Sequence, residues 1–214
     1  MELIFKMYNK FLKRTIDIVL SGFGILILAI PMLIISIIIK IDSPGPVFFK
    51  QKRVGIHKTH FPIMKFRSMY VDDKNADVPT HLLKNPESRI TKVGNILRKT
   101  SLDELPQLFN IFVGHMSVIG PRPALWNQYD LIEERDKYGA NDVKPGLTGW
   151  AQINGRDELE ISFKAKLDGE YVDKLSFLFD CKCFFGTVVS VIKSDGVVEG
   201  GTGEIQREKE EAVK

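Results

Sequence analysis

The chain has 214 residues, is 44% hydrophobic and 27% charged, and carries a formal net charge of +3. That is an ordinary globular composition, long enough for one domain with a real core or a small domain plus a membrane segment. Cys181 and Cys183, the only cysteines, lie two positions apart with no second pair, which excludes a disulfide framework or a cysteine zinc site and implies a reducing compartment.

The charge is unevenly spread. Residues 40–100 carry 13 basic and 5 acidic side chains, whereas residues 101–214 carry 13 and 20. A basic block directly after an apolar segment suits anionic lipid head groups or a phosphorylated ligand rather than nucleic acid; a solvated positive face is the simpler alternative.

Residues 1–14 interleave Lys6, Lys10, Lys13 and Arg14 with Phe5, Tyr8, Phe11 and Leu12, a pattern for a helix lying in a membrane interface. Residues 18–39 then run without a charge. At about 1.5 Å per residue this stretch reaches across a hydrocarbon core of about 30 Å. It exceeds a signal-peptide core and no small-residue cleavage site follows, so it is expected to stay in the mature protein. Pro31 sits near its middle, removes a backbone hydrogen bond and presses on the carbonyl of Ile27, so a kink is expected there. Both flanks are basic, Lys13 and Arg14 before and Lys40, Lys50, Lys52 and Arg53 after, so both ends favour the cytoplasm. A re-entrant helix bent at Pro31 meets both conditions; a proline-kinked span is the alternative.

Asp42-Ser43-Pro44-Gly45-Pro46 turns the chain. Residues 47–49 and 61–67 read as short strands about a turn at Gly55, placing Lys50, Arg53, Lys65 and Arg67 near the membrane surface. Residues 71–88, with Pro79 and Pro86, read as a polar, mobile surface loop or short helices.

Two adjacent carboxylates, Asp103 and Glu104, open an apolar-periodic stretch of Leu102, Leu105, Leu108, Phe109 and Phe112. Ser101 and Glu104 have capping-box spacing, although Pro106 allows the helix to start near Leu105 instead. At a helix N-terminus the free N–H groups favour an ionised carboxylate and can receive phosphate, so the pair reads either as good capping residues or as an anionic nucleophile with its partner. Arg98, five residues earlier, can hold a phosphate or balance the dyad's charge. Arg122, between Pro121 and Pro123, has a stiff mount suited to anion recognition; a plain turn is the alternative. The stretch 144–156 is glycine-rich and ends in Arg156, but matches no Walker or dinucleotide spacing. Helices are expected over 126–138 and over 158–172, the latter carrying Asp168 and Tyr171. Phe177, Cys181, Phe184, Phe185, Val188 and Ile192 then line one helical face, core or interfacial. The tail from Glu199 is polar and expected to be disordered.

Over residues 13–195 the chain resembles the monotopic phosphoglycosyl transferases, a bacterial sugar transferase family. The resemblance rests on Ser43-Pro44-Gly45-Pro46-Val47-Phe48-Phe49, Lys65-Phe66-Arg67-Ser68-Met69, Thr100-Ser101-Leu102-Asp103-Glu104-Leu105-Pro106-Gln107-Leu108, Gly120-Pro121-Arg122-Pro123 and Lys144-Pro145-Gly146-Leu147-Thr148-Gly149. Five motifs in order are far more specific than any one.

It implies an α+β, mostly helical fold: a re-entrant N-terminal membrane helix (1–40), a small catalytic domain (41–198) with short strands and interfacial amphipathic helices, and a polar tail (199–214). The catalytic domain is expected on the cytoplasmic face of the bacterial inner membrane, in contact with membrane lipids. The implied reaction is Mg2+-dependent transfer of a sugar phosphate from a UDP-sugar, with an N-acetylated aminosugar expected, to polyprenyl (undecaprenyl) phosphate. Asp103 takes the role of nucleophile in an aspartyl phosphosugar intermediate and Glu104 that of magnesium ligand. Arg98, Arg122, Lys65, Arg67 and Arg156 are the expected phosphate contacts. Ile30 stands where some family members carry serine before the membrane proline, so a serine hydrogen bond at the bend must come from elsewhere. A glycosyltransferase moving the sugar without its phosphate is the enzymatic alternative, but its common Asp-X-Asp metal triplet is absent from the chain. A non-catalytic adaptor binding acidic lipids is the other alternative, and it leaves Asp103, Glu104 and Arg122 unexplained.

Overall fold

The computed structural model describes residues 8–71, 86–155 and 159–193. The expected tail, residues 199–214, and most of the expected loop over 71–88 lie outside them.

Among the described residues the fold is mostly helical with two small sheets. A turn at Tyr8–Leu12 leads into α1, Lys13–Asp42, and a hairpin follows, β1 (Phe48–Val54) with β2 (His60–Phe66). Next come α2 (Lys92–Lys99), a 3₁₀ turn at Leu102–Glu104 and α3 (Gln107–Val113). The chain then forms β3 (Ser117–Ile119), α4 (Tyr129–Asp136), β4 (Gly146–Thr148), α5 (Trp150–Ile153), α6 (Ile161–Asp173) and α7 (Phe177–Lys193).

α1 is long and apolar enough to cross a membrane. It passes through Pro31 as a single element; the proline removes one backbone donor without ending the helix. Most of its surface is unburied, with Leu26 77%, Ile30 72% and Ile41 80% exposed, which is the state of a helix whose apolar face awaits a nonaqueous environment. Among the described residues, a narrow stripe in its second half meets protein. Met32 and Ile39, flanked by Leu28 and Ile35, pack on Phe66 of β2, Leu97 of α2 and Phe109 of α3.

Polar anchors fix both ends of α1 to the same domain. At its start, Arg14 donates to the carbonyls of Ile111 (2.6 Å) and Phe112 (2.7 Å) at the end of α3, where a cation complements the helix dipole. Asp17 accepts from Ser117 Oγ and Val118 N, each at 2.9 Å. At its far end, Asp42 accepts from Val93 N of α2 at 3.3 Å.

β1 and β2 are antiparallel, in register from Phe48 opposite Phe66 to Val54 opposite His60. The hairpin is longer than the sequence patterning suggests because polar positions such as Lys50 and Lys52 continue the ladder. β3 and β4 form a parallel pair, Ser117 opposite Gly146 and Ile119 opposite Thr148, with α4 in the crossover between them. Below this pair, Ile119, Val143, Tyr171, Leu175 and Cys183 form a core with Tyr8. Asp180 of α7 accepts from Tyr8, Lys13 and Tyr171, which ties the last helix to the start of α1.

Candidate active site

Asp103 and Glu104 occupy the 3₁₀ turn at Leu102–Glu104, not the first turn of α3. The capping box expected of Ser101 does not form: its side chain caps nothing and its backbone is left-handed, φ 56°. A non-glycine residue held there is strained by about 1–3 kcal/mol and persists only where its surroundings fix it. Pro106, at the N-cap of α3, sets the helix start about where the second reading of the sequence placed it. Ser101 falls just past Thr100, the C-cap of α2, where a left-handed residue commonly ends a helix.

Around the dyad the elements deliver cations. Lys65, from β2, places Nζ 2.6 Å from Glu104 Oε1 and 4.0 Å from Asp103 Oδ2. Arg122 places a guanidinium nitrogen 3.0 Å from the same Glu104 oxygen. Arg98, in the last turn of α2, lowers the Asp103 pKa through its charge.

The two carboxyls respond oppositely. Burial pushes Asp103 above the ordinary aspartate range, helped by the Glu104 charge and only partly offset by Lys65, Arg98 and Arg122. Burial also acts to raise Glu104, but Arg122 and Lys65, by charge and hydrogen bonds, outweigh it and hold that carboxyl well below its usual range. A pair whose environments pull their titrations apart carries a division of labour. Glu104 is the permanently ionised member. Asp103, on which the cations only partly offset burial, is the more basic one.

The Gly120–Pro123 and Lys144–Gly149 motifs form one interlocked mount for Arg122. Gly120 N donates to Thr148 O at 2.8 Å, and Gly146 N to Pro121 O at 2.9 Å. A Cβ at Gly146 would stand 2.1 Å from Gly120 N, so the backbones approach as only glycine permits. The next carbonyls are taken in turn. Arg135 donates to Arg122 O at 3.0 Å, Arg53 to Pro123 O at 3.1 Å, and Val54 N to Ala124 O at 2.9 Å. Arg135 is itself held by Asp168, its Nε at 2.8 Å and its terminal nitrogen at 2.6 Å from Oδ2.

Arg67, expected at a phosphate, is placed differently. It is 5% exposed and its guanidinium donates to the carbonyls of Ser43 (2.8 Å), Pro44 and Ile39. It closes the C-terminal end of α1, where orphan carbonyls need donors. Arg156 lies outside the described residues.

The bacterial sugar transferase family model matches residues 8–194. The chain belongs to this bacterial sugar transferase family. It is an enzyme of the phosphoglycosyl transferase type. Among its relatives is the uncharacterized sugar transferase EpsL of Bacillus subtilis strain 168, 41% identical over 186 residues, which cover 87% of this chain and 90% of the relative. The exopolysaccharide production protein PSS of Rhizobium leguminosarum bv. phaseoli is 41% identical over 191 residues, 84% of this chain and 94% of that protein. The UDP-glucose:undecaprenyl-phosphate glucose-1-phosphate transferase of Escherichia coli strain K12 is 44% identical over 188 residues, 84% of this chain but 40% of that longer protein. This chain thus spans nearly all of two relatives and about two fifths of the third.

In this sugar transferase, no group of three or more histidine, cysteine, aspartate or glutamate side chains is placed to hold a metal ion among the described residues. The dyad offers two adjacent carboxylates, one of them strongly ionised. That donor set fits magnesium, which binds through one or two carboxylates with substrate phosphates and water completing its shell, better than a metal needing an all-protein cage. Of the expected contacts, the fold brings Lys65 and Arg122 directly onto the dyad and Arg98 within electrostatic reach. The residues behind them, Arg53 and Arg135, were not singled out for a site role from the sequence. No local motif marks them, because their role is to bond a backbone carbonyl distant in sequence.

Proposed function

We propose that this enzyme transfers a sugar 1-phosphate from a UDP-sugar to polyprenyl (undecaprenyl) phosphate, releasing UMP, as the first membrane step of polysaccharide or glycoconjugate synthesis. The observation that carries the reading is the asymmetry of the dyad. Both cations close on Glu104 Oε1, whereas Lys65 stays 4.0 Å from Asp103 Oδ2. Asp103 therefore keeps an oxygen that is not consumed by the lysine, in a desolvated setting that makes it a stronger nucleophile. Glu104 supplies fixed negative charge.

In the first step an Asp103 carboxylate oxygen attacks the β-phosphorus of the donor, the bond to the bridging oxygen breaks, and UMP departs with that electron pair. In the second, a phosphate oxygen of the polyprenyl phosphate attacks the same phosphorus and the aspartyl bond breaks, restoring Asp103 and leaving polyprenyl diphosphosugar. Arg122 and Arg98 stabilise the charge that develops on the phosphoryl oxygens. Glu104, with Asp103 alongside, would hold magnesium, which would neutralise the diphosphate.

The acceptor's head group lies at the bilayer surface, so the dyad must be held there. α1 supports this. Asp17 and Asp42, near its two ends, bond to the same domain through Val118 N and Val93 N. A straight span of 30 residues, about 45 Å long, would carry one of those anchors to the far side of a hydrocarbon core of about 30 Å. A helix that enters and leaves one leaflet keeps both on the cytoplasmic face of the inner membrane.

The test is the by-product. Purified protein is incubated with polyprenyl phosphate, magnesium and a panel that includes UDP-glucose and UDP-N-acetylated aminosugars. Release of UMP is expected. Release of UDP shows glycosyl transfer without phosphate, and release of neither with every donor contradicts both enzymatic readings.

A further inference from the structure

Asp168 and Arg135 form a buried ion pair, 1% and 4% exposed, outside the dyad and untouched by the steps above. Removing two charges from water costs several kcal/mol per ion, and a well-packed apolar pair is often as stable or more so. Stability is thus a poor reason for the pair. Its geometry supplies a better one. Asp168 Oδ2 takes two N–H groups of the Arg135 guanidinium, from Nε and one terminal nitrogen, which fixes the plane of the fork. The same terminal nitrogen directs its other hydrogen to Arg122 O at 3.0 Å. Arg122 in turn places its guanidinium 3.0 Å from Glu104 Oε1.

We propose that Arg135 and Asp168 are positioning residues for phosphoryl transfer, holding the backbone of Arg122 so that its guanidinium stays aligned with the dyad. The proposal rests on the reading of Asp103 and Glu104 as the reaction centre. Three neighbouring carbonyls, those of Pro121, Pro123 and Ala124, are held by a backbone amide or by Arg53. The carbonyl of Arg122 itself depends on a side chain from α4 that is oriented by a side chain from α6. Lysine cannot replace Arg135 here, because an ammonium is a point charge and lacks the planar fork that reaches Asp168 and the carbonyl together.

The experiment measures kcat and KM for the UDP-sugar, by UMP release from full-length protein, alongside the thermal unfolding midpoint. Arg135→Lys keeps the buried charge and should still fold, yet lose about 10- to 100-fold in kcat/KM, the scale expected when a catalytic group is misplaced by about 1 Å. Asp168→Glu, measured the same way, serves if the lysine variant does not fold. Lys58→Ala, which removes the surface pair with Asp136 of α4, should stay within about twofold of wild type. The decisive readout is coupling. Adding Arg135→Lys to Arg122→Lys should cost less than about threefold beyond Arg122→Lys alone, since residues acting as one unit are non-additive. Single-turnover assays at high enzyme concentration extend the range for weak variants. Losses that multiply, or a folded Arg135→Lys within twofold of wild type, overturn the proposal. If the wild-type protein releases no UMP, it is the underlying reading that fails.

Discussion

Lys65 Nζ stands 2.6 Å from Glu104 Oε1 and 4.0 Å from Asp103 Oδ2, so a single ammonium neutralises one carboxylate of the dyad and biases the other. Its charge is the largest factor opposing the burial that raises the Asp103 pKa. The nucleophile must be ionised. With its pKa raised in the folded enzyme, activity is present above that pKa and lost as pH falls through it, at higher pH than for an ordinary aspartate of 3.8. Lys65→Met removes the opposing charge, so the acid limb of the kcat/KM profile should move further up in pH, with a lower plateau. A limb that stays in place or moves down would show that Lys65 does not tune Asp103.

Glu104→Gln leaves Lys65 and Arg122 facing a neutral amide. Turnover should fall by about 100-fold or more, and stability by about 1–3 kcal/mol, because two cations lose a shared charge-assisted partner. Magnesium titration separates causes. Partial recovery at high magnesium assigns the loss to metal affinity, whereas a flat response assigns it to misplaced Lys65 and Arg122.

Arg67→Ala should act on folding and not on chemistry. It strips donors from the carbonyls of Ile39, Ser43 and Pro44 and should cost about 2–4 kcal/mol, seen as a lower unfolding midpoint. At a temperature where the variant is folded, KM for the donor should match wild type. A raised KM with unchanged stability would return Arg67 to the phosphate site.

For α1, single cysteines at Thr15 and at Lys40, both exposed positions, in a background with Cys181 and Cys183 replaced, should both resist a membrane-impermeant thiol reagent in intact cells and react after permeabilisation. Labelling of the Thr15 cysteine in intact cells would mean a true span. Pro31→Leu restores the missing backbone donor and should let a fraction of molecules span and label there, with lower activity.

Much of this was legible in the sequence where local rules suffice. The apolar run of α1, the helix of Phe177–Lys193 and the arginine between two prolines announce themselves by composition and spacing. The dyad's cations came from the motifs: Lys65 is 39 residues from Glu104 in the chain, and β2 alone brings it within 2.6 Å. What stayed hidden was non-local or conformational. Ser101 has capping-box chemistry but occupies a left-handed position, because it falls just past the C-cap of α2. Arg67 shares a motif with Lys65, yet α1 ends against its guanidinium and claims it. The parallel pairing of β3 with β4 leaves a pattern of only three residues on each side, too short for periodicity to show. Arg135 reads as one more charge on a charged helix until Arg122 O is found beside it.

The role of Asp103 is tested most directly by supplying a UDP-sugar with magnesium and no acceptor, quenching rapidly and weighing the intact protein. Wild-type protein should gain the mass of one sugar phosphate, lost again on adding polyprenyl phosphate. Asp103→Asn, which removes the charge with little change in volume, should stay folded and membrane-bound but gain no mass and turn over at least about 1,000-fold more slowly. No adduct on the wild-type enzyme, with kinetics that require donor and acceptor bound together, or an Asp103→Asn variant that releases UMP at near-wild-type rate, would contradict a covalent role for Asp103.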